Sequence, residues 1–201
     1  MINAIIIHGL QSPKEYFDLG KPSASNAHWL PWLQKQLLVR NILAQTPEMP
    51  EPYRPIYDMW RETFERYPIN ESTVLVGHSL GGGFLLRWLS ENKVKVDAVA
   101  LIAPWLDPDG RLDTGFFNFA LDSKIAARCR KVVIFYSTDD TDQILESVKR
   151  CRVELVGVEY KEFNNYGHFI SKDMATNAFP ELLSVLAGNN YQPALSRLCT
   201  I

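Results

Sequence analysis

Residues 72–83 read Ser72-Thr73-Val74-Leu75-Val76-Gly77-His78-Ser79-Leu80-Gly81-Gly82-Gly83, and this stretch decides the fold. An apolar, β-rich run enters a Gly-x-Ser-x-Gly pattern and leaves as Leu80–Glu91, whose apolar residues recur at helical spacing. Three positions each filled by a residue of ~7% frequency recur by chance in roughly one chain in fifteen of this length. The bare pattern is therefore weak, and the strand–turn–helix context supplies the specificity. A serine on so sharp a turn takes a strained backbone, and its neighbours at −2 and +2 must be small for strand and helix to approach. Gly82 and Gly83 each cost about 1 kcal/mol of helix propensity relative to alanine, a cost consistent with close packing around Ser79.

Working outward, apolar runs and helical stripes alternate along the chain. Strands are expected at 2–7, 41–46, 72–76, 97–103, 132–137 and 153–160. Helices are expected at 28–40, 57–67, 80–91, 123–130, 142–151 and 175–187. Gln11–Ala27, rich in Ser, Pro and Gly, reads as a long loop, and prolines 47, 50, 52 and 55 end the second strand. Alternation with nearly continuous apolar strands predicts an α/β fold: a mostly parallel sheet of about six strands, covered by helices on both faces. No internal repeat or linker divides the chain, so residues 1–188 are expected to form one domain, with 189–201 a loose tail or a short docked helix.

The bulk composition narrows the function classes. Over 201 residues, 46% are hydrophobic and 22% charged, which is ordinary for a folded globule. The net charge is −2 and no basic run occurs, which disfavours nucleic acid and anionic membrane surfaces as partners. The Met1–Gly9 opening lacks a basic segment and a long apolar run, and no stretch reaches the ~20 apolar residues that span a bilayer. Cys129, Cys151 and Cys199 show no metal or redox spacing, so reduced thiols and a cytoplasmic location are expected.

Ser79 is the candidate nucleophile. The tetrahedral oxyanion it would generate needs preorganised N–H donors. The backbone of Leu80, just after the nucleophile, is one, and Leu10, in the loop after the first strand, is the other, with Gln11 as the alternative. His168, in Asn-Asn-Tyr-Gly-His-Phe after the last strand, is the candidate base. The acid should follow Val132–Tyr136, where Asp139, Asp140 and Asp142 lie. Asp142 suits a helix cap, which leaves Asp139 and Asp140. His8 precedes Ser79, against the Ser–acid–His order of this architecture, and reads as loop-shaping. His28 and His78 join no metal-like cluster, and neither metal nor cofactor is implied.

With these segments in place, the chain resembles the small single-domain serine hydrolases related to retinoblastoma-binding protein nine. The resemblance covers roughly residues 2–187. It is carried by the opening strand and loop, His28-Trp29-x-x-Trp32-Leu33, Pro47-Glu48-Met49-Pro50, Gly77-His78-Ser79, Ser137-Thr138-Asp139-Asp140 and Tyr166-Gly167-His168-Phe169. It implies a reduced α/β-hydrolase sheet without antiparallel edge strands, and Asp140 as the triad acid. Two departures stand out: Thr141 where relatives often carry proline soon after that aspartate, and the length of the Gln11–Ala27 loop.

Segment 104–124, with Trp105, Leu106, Phe116, Phe117 and Phe119, is expected either to cap Ser79, with Trp105 binding substrate, or simply to pack on the core. No basic cluster near the motifs points to an acidic substrate. The function expected is hydrolysis of a small carboxylic ester, amide or thioester through an acyl-enzyme. The alternatives are a lyase or perhydrolase on the same triad, and a non-catalytic module that binds a protein partner.

Overall fold

The apolar runs become β1 (Asn3–Ile7), β2 (Leu43–Gln45), β3 (Thr73–His78), β4 (Val96–Ile102), β5 (Cys129–Ser137) and β6 (Glu159–Phe163) in a computed structural model that describes residues 2–187. The expected tail, 189–201, lies outside the described residues. All five pairings are parallel, in the order β2-β1-β3-β4-β5-β6. Parallel strands buried on both faces need no polar alternation, and β1 and β3 are buried throughout. β6, at one edge, carries three charged residues among its five, as Glu-Tyr-Lys-Glu-Phe, which suits an edge strand.

From β1 the chain moves one way to β2, then returns to place β3 on the other side of β1. Strand order therefore switches between β1 and β3, where open parallel sheets gather their ligands at the carboxyl edge. The register pairs Ile7 with Gly77 and His78 with Ile102, so β1, β3 and β4 end nearly level. His8-Gly9-Leu10 is thereby delivered beside Ser79.

The helices are α1 (Pro13–Tyr16), α2 (Leu30–Leu38), α3 (Tyr57–Phe64), α4 (Leu80–Glu91), α5 (Asp142–Glu154), α6 (Ser171–Met174) and α7 (Pro180–Ala187). α4 packs on β3 and β4, while α2 packs against β2 and α7. Tyr57, Trp60 and Phe64 of α3 meet Phe84 of α4, and Trp60 also meets Phe116, at ring separations of 5.3–5.8 Å. Such edge-on aromatic pairs add roughly 0.5–1.5 kcal/mol each beyond burial. A second cluster joins Phe135, Phe163, Phe169, Phe179 and Trp29. None of the helices among the described residues is long and apolar enough to cross a membrane.

The structure corrects several sequence expectations. The Gln11–Ala27 loop contains α1, stapled by a capping box in which Glu15 N–H donates to Ser12 Oγ and Ser12 N–H to Glu15 Oε2. The stripe expected at 123–130 is only a single 3₁₀ turn, Ile125–Arg128, because β5 begins at Cys129. The strand expected at 153–160 falls at 159–163, since α5 runs on to Glu154 and leaves Val153 and Val156 exposed. The helix expected at 175–187 begins only at Pro180, because left-handed Ala175 ends the short α6 before it. Thr141, not Asp142, holds the N-cap position of α5, with Asp142 in its first turn.

Candidate active site

At the end of β3 the backbone reverses at Ser79 with φ 53° and ψ −119°, a strained conformation for a residue with a side chain. Ser79 N–H donates to Ile102 O (2.8 Å), and Trp105 N–H donates to Ser79 O (3.0 Å), which pins the turn against the end of β4. The elbow glycines are required by contact. A Cβ on Gly81 would lie 2.4 Å from His8 O and 2.5 Å from Ile7 O, and one on Gly77 would lie 2.6 Å from Gly81 O. The rigid backbones of β1, β3 and α4 thus meet with no room for a methyl group.

His168 Nε2 lies 2.9 Å from Ser79 Oγ. Its Nδ1 lies 2.9 Å from Asp140 Oδ2 and 3.1 Å from Oδ1. An ionised carboxylate can only accept, so Nδ1 carries the proton and Nε2 presents its lone pair to the serine hydroxyl. The Asp140 side chain is 1% exposed, whereas that of His168 is 30% exposed and open to the cavity. Thr141 N–H donates to Asp140 Oδ1 at 2.7 Å, a bond a proline there could not make.

The neighbouring Asp139 faces a different task. Its Oδ1 accepts from Ser137 Oγ, from Asn165 N–H (3.0 Å) and from Gly167 N–H (3.3 Å), so it shapes the loop that carries His168. The Ser137 hydroxyl bond is the leading cause that holds its carboxyl below the usual range.

A cavity of about 710 Å³ opens beside Ser79. Gly9, Leu10 and Gln11 line it together with Ser79 and His168, and its outer wall includes Leu30, Trp32 and Ile170. A Cβ on Gly9 would lie 3.0 Å from Ser79 Cβ, so the loop after β1 passes directly over the nucleophile. The Leu80 side chain is buried and its backbone N–H opens α4 immediately after Ser79. Lys21, in the loop after β1, and Lys172, four residues after His168, also line the cavity as cationic groups.

Trp105 stands apart from this cavity, contrary to the expected substrate contact. Its ring packs edge-on to Phe117 (5.7 Å), and its carbonyl lies where a Cβ on Gly83 would approach to 2.0 Å. Arg87 of α4 donates to the carbonyls of Gly115 (2.9 Å) and Phe116 (2.7 Å). These bonds draw segment 104–124 onto α4, and the 10–32 region forms the cavity wall instead.

The remaining histidines are engaged. Met49 N–H donates to His8 Nε2 (2.8 Å), so the His8 proton sits on Nδ1, which meets Gly9 O (2.8 Å). That pair of bonds ties the end of β1 to the Pro47–Pro50 turn. Burial lowers the pKa of His8 against an opposing pull from Glu48, and burial followed by the nearby His168 lowers that of His78 further. Both are neutral when folded, while the unfolded chain protonates them below pH ~6.5. The unfolded state then binds more protons, so stability is complete above that pH and falls as pH drops below it. The slope is up to about 1.4 kcal/mol per pH unit per histidine. Urea midpoints measured between pH 7.5 and 5 should therefore decline; a constant midpoint would contradict the buried neutral assignment.

Comparison with known proteins gives a consistent picture. The model of a family described as serine hydrolase matches residues 19–188. YdeN of Bacillus subtilis (strain 168) is 29% identical over 182 residues, covering 85% of this chain and 93% of YdeN. The crystal structure of the ydeN gene product from B. subtilis superposes with a TM-score of 0.75 and 25% identity, over 92% of this chain and 97% of that one. The carboxylesterase CesB from B. subtilis shares the fold with a TM-score of 0.52 at 14% identity, over 92% and 83% of the two chains.

Proposed function

The chain belongs to the serine hydrolase family, and from that premise we propose that this enzyme cleaves a small carboxylic ester through Ser79, His168 and Asp140. The observation that carries the reading is the continuous contact from Ser79 Oγ through both ring nitrogens of His168 to the buried Asp140 carboxylate. Ser79 Oγ attacks the acyl carbonyl while His168 Nε2 takes its proton. Asp140 stabilises the imidazolium and fixes the ring. The backbone N–H groups of Leu80 and Leu10 receive the oxyanion, in line with the level ends of β1 and β3. His168 then returns the proton to the departing alkoxide. Water, activated by the same ring, attacks the acyl-enzyme, releases the acid and restores Ser79.

The cavity supports an apolar acyl or alcohol group, since Leu10, Leu30, Trp32 and Ile170 contribute to its wall. Next in sequence to Glu15, which lines the cavity, Tyr16 and Phe17 meet Tyr53 and each other edge-on or tilted at ring separations of 5.0–5.6 Å, and Phe17 is 66% exposed.

The test is a fluorophosphonate probe followed by intact mass, run beside a panel of p-nitrophenyl esters with matched amide and thioester analogues. One covalent adduct located on Ser79, with turnover of the neutral esters, is the expected result. A folded protein that neither labels nor hydrolyses any of them would favour the protein-binding module. Labelling without ester turnover would favour another reaction on the same nucleophile.

A further inference from the structure

The loop that presents His168 is held in a costly shape. Asn165, Gly167 and Phe169 all have positive φ, of 62°, 49° and 56°. Left-handed backbone is unfavourable for residues with side chains and persists only where surrounding contacts impose it. Beside the local bonds of His168 N–H to Asp173 and Phe169 N–H to Tyr166 O, the contacts come from residues distant in sequence. His78 Nε2 lies 2.8 Å from the carbonyl oxygen of His168. Trp29 Nε1–H donates to Phe169 O (3.1 Å), and Ser171 N–H donates to His28 Nδ1 (3.2 Å).

A carbonyl can only accept, so His78 carries its proton on Nε2 and donates it to the backbone of the candidate base. His78 is 4% exposed, and its ring centre lies 5.0 Å from that of His168 and 5.8 Å from that of Trp29. It therefore does more than fill space beside the nucleophile. Chain continuity fixes it to Ser79, and one hydrogen bond fixes it to His168, so it links the two directly, beside the bonds from Asp139 and Asp173 that also hold the loop.

We propose that His78 is a positioning residue: its Nε2–H bond to the His168 carbonyl holds the strained base loop so that His168 Nε2 stays within reach of Ser79. The inference rests on the triad reading above. Trp29 and His28 brace the same loop one and three residues further on, which makes the brace a property of the α2 approach as well as of the elbow.

His78→Ala and His78→Gln test it in the full chain, since glutamine restores a side-chain N–H donor. In His78→Ala, kcat should fall ~10- to 100-fold, the scale of a small misplacement of reacting groups. KM should change by much less than kcat, because His78 borders the cavity but is only 4% exposed. The low-field proton resonance of the His168 Nδ1–H bond to Asp140 should broaden or vanish in His78→Ala. His78→Gln should recover both the rate and the resonance. If His78→Ala does not fold, His78→Gln compared with His78→Leu gives the same contrast between donor and apolar filler.

An unchanged kcat and resonance in His78→Ala would overturn the proposal. Equal impairment of the glutamine and apolar variants, with the resonance intact, would also overturn it and make His78 a packing residue. In either case, fluorophosphonate labelling of the wild type would still stand, so the triad reading would survive separately. Failure of the wild type to label would remove both.

Discussion

Ser79→Ala is expected to abolish covalent labelling and lower ester turnover by ~10⁴- to 10⁶-fold, the range seen when a triad nucleophile is removed. In the proposed mechanism the hydroxyl accounts for both readouts, because its oxygen would form the acyl bond and its proton would pass to His168. Stability should change by only about 1 kcal/mol. The alanine retains the Cβ that packs beside Gly9 and loses one net hydrogen bond, to His168. Retention of more than about 1% of the wild-type rate by a folded Ser79→Ala protein would place the chemistry on another group. The described cysteines are poor substitutes, since burial pushes the Cys151 thiol up to about 12 and that of Cys129 up to about 11.

The second large effect is expected for Asp140→Asn, with a ~10⁴-fold loss in kcat at neutral pH. The direction follows from the hydrogen bonds of the carboxylate. Thr141 N–H donates to Oδ1 at 2.7 Å and requires an acceptor there. The amide oxygen of asparagine would take that position and leave its NH₂ group at the Oδ2 site, 2.9 Å from His168 Nδ1. A donor facing Nδ1 forces the ring proton onto Nε2, where it blocks transfer from Ser79. Asp139→Asn should be much milder, because its oxygen can still accept the loop N–H groups of Asn165 and Gly167. Pre-steady-state acylation with a chromogenic ester separates the two variants. Equal losses in both, or a greater loss in Asp139→Asn, would defeat the assignment of Asp140 as the acid.

Much of the architecture was legible because it is locally encoded. Ile5, Ile6 and Ile7, and likewise Val74, Leu75 and Val76, form short apolar runs that suit strands buried on both faces. The Gly77–Gly81 spacing announced the elbow, and the contacts of those two glycines give the steric reason. Legibility failed where local pattern and tertiary placement conflict. Val153, Leu155 and Val156 resemble a strand, yet the buried stripe of α5 runs Ile144, Ser147, Val148 and Cys151 and leaves Val153 outside it. The aromatics of 104–124 left a cap and core packing equally open, and a backbone approach at Gly83 and the fork of Arg87 draw that segment onto α4.

The sequence by itself determined the parallel α/β architecture, the order of serine, aspartate pair and histidine, and the loops that carry them. These depend on periodicity, turn chemistry and chain order, all read along the chain. Only the tertiary structure decided which aspartate meets His168, which loop walls the cavity, and that His78 hydrogen-bonds to the backbone of His168. Each of those depends on partners widely separated in sequence, as with the 90 positions between His78 and His168. Hydrogen bonds act over about 3 Å, and only the packed sheet and helices bring such distant groups that close.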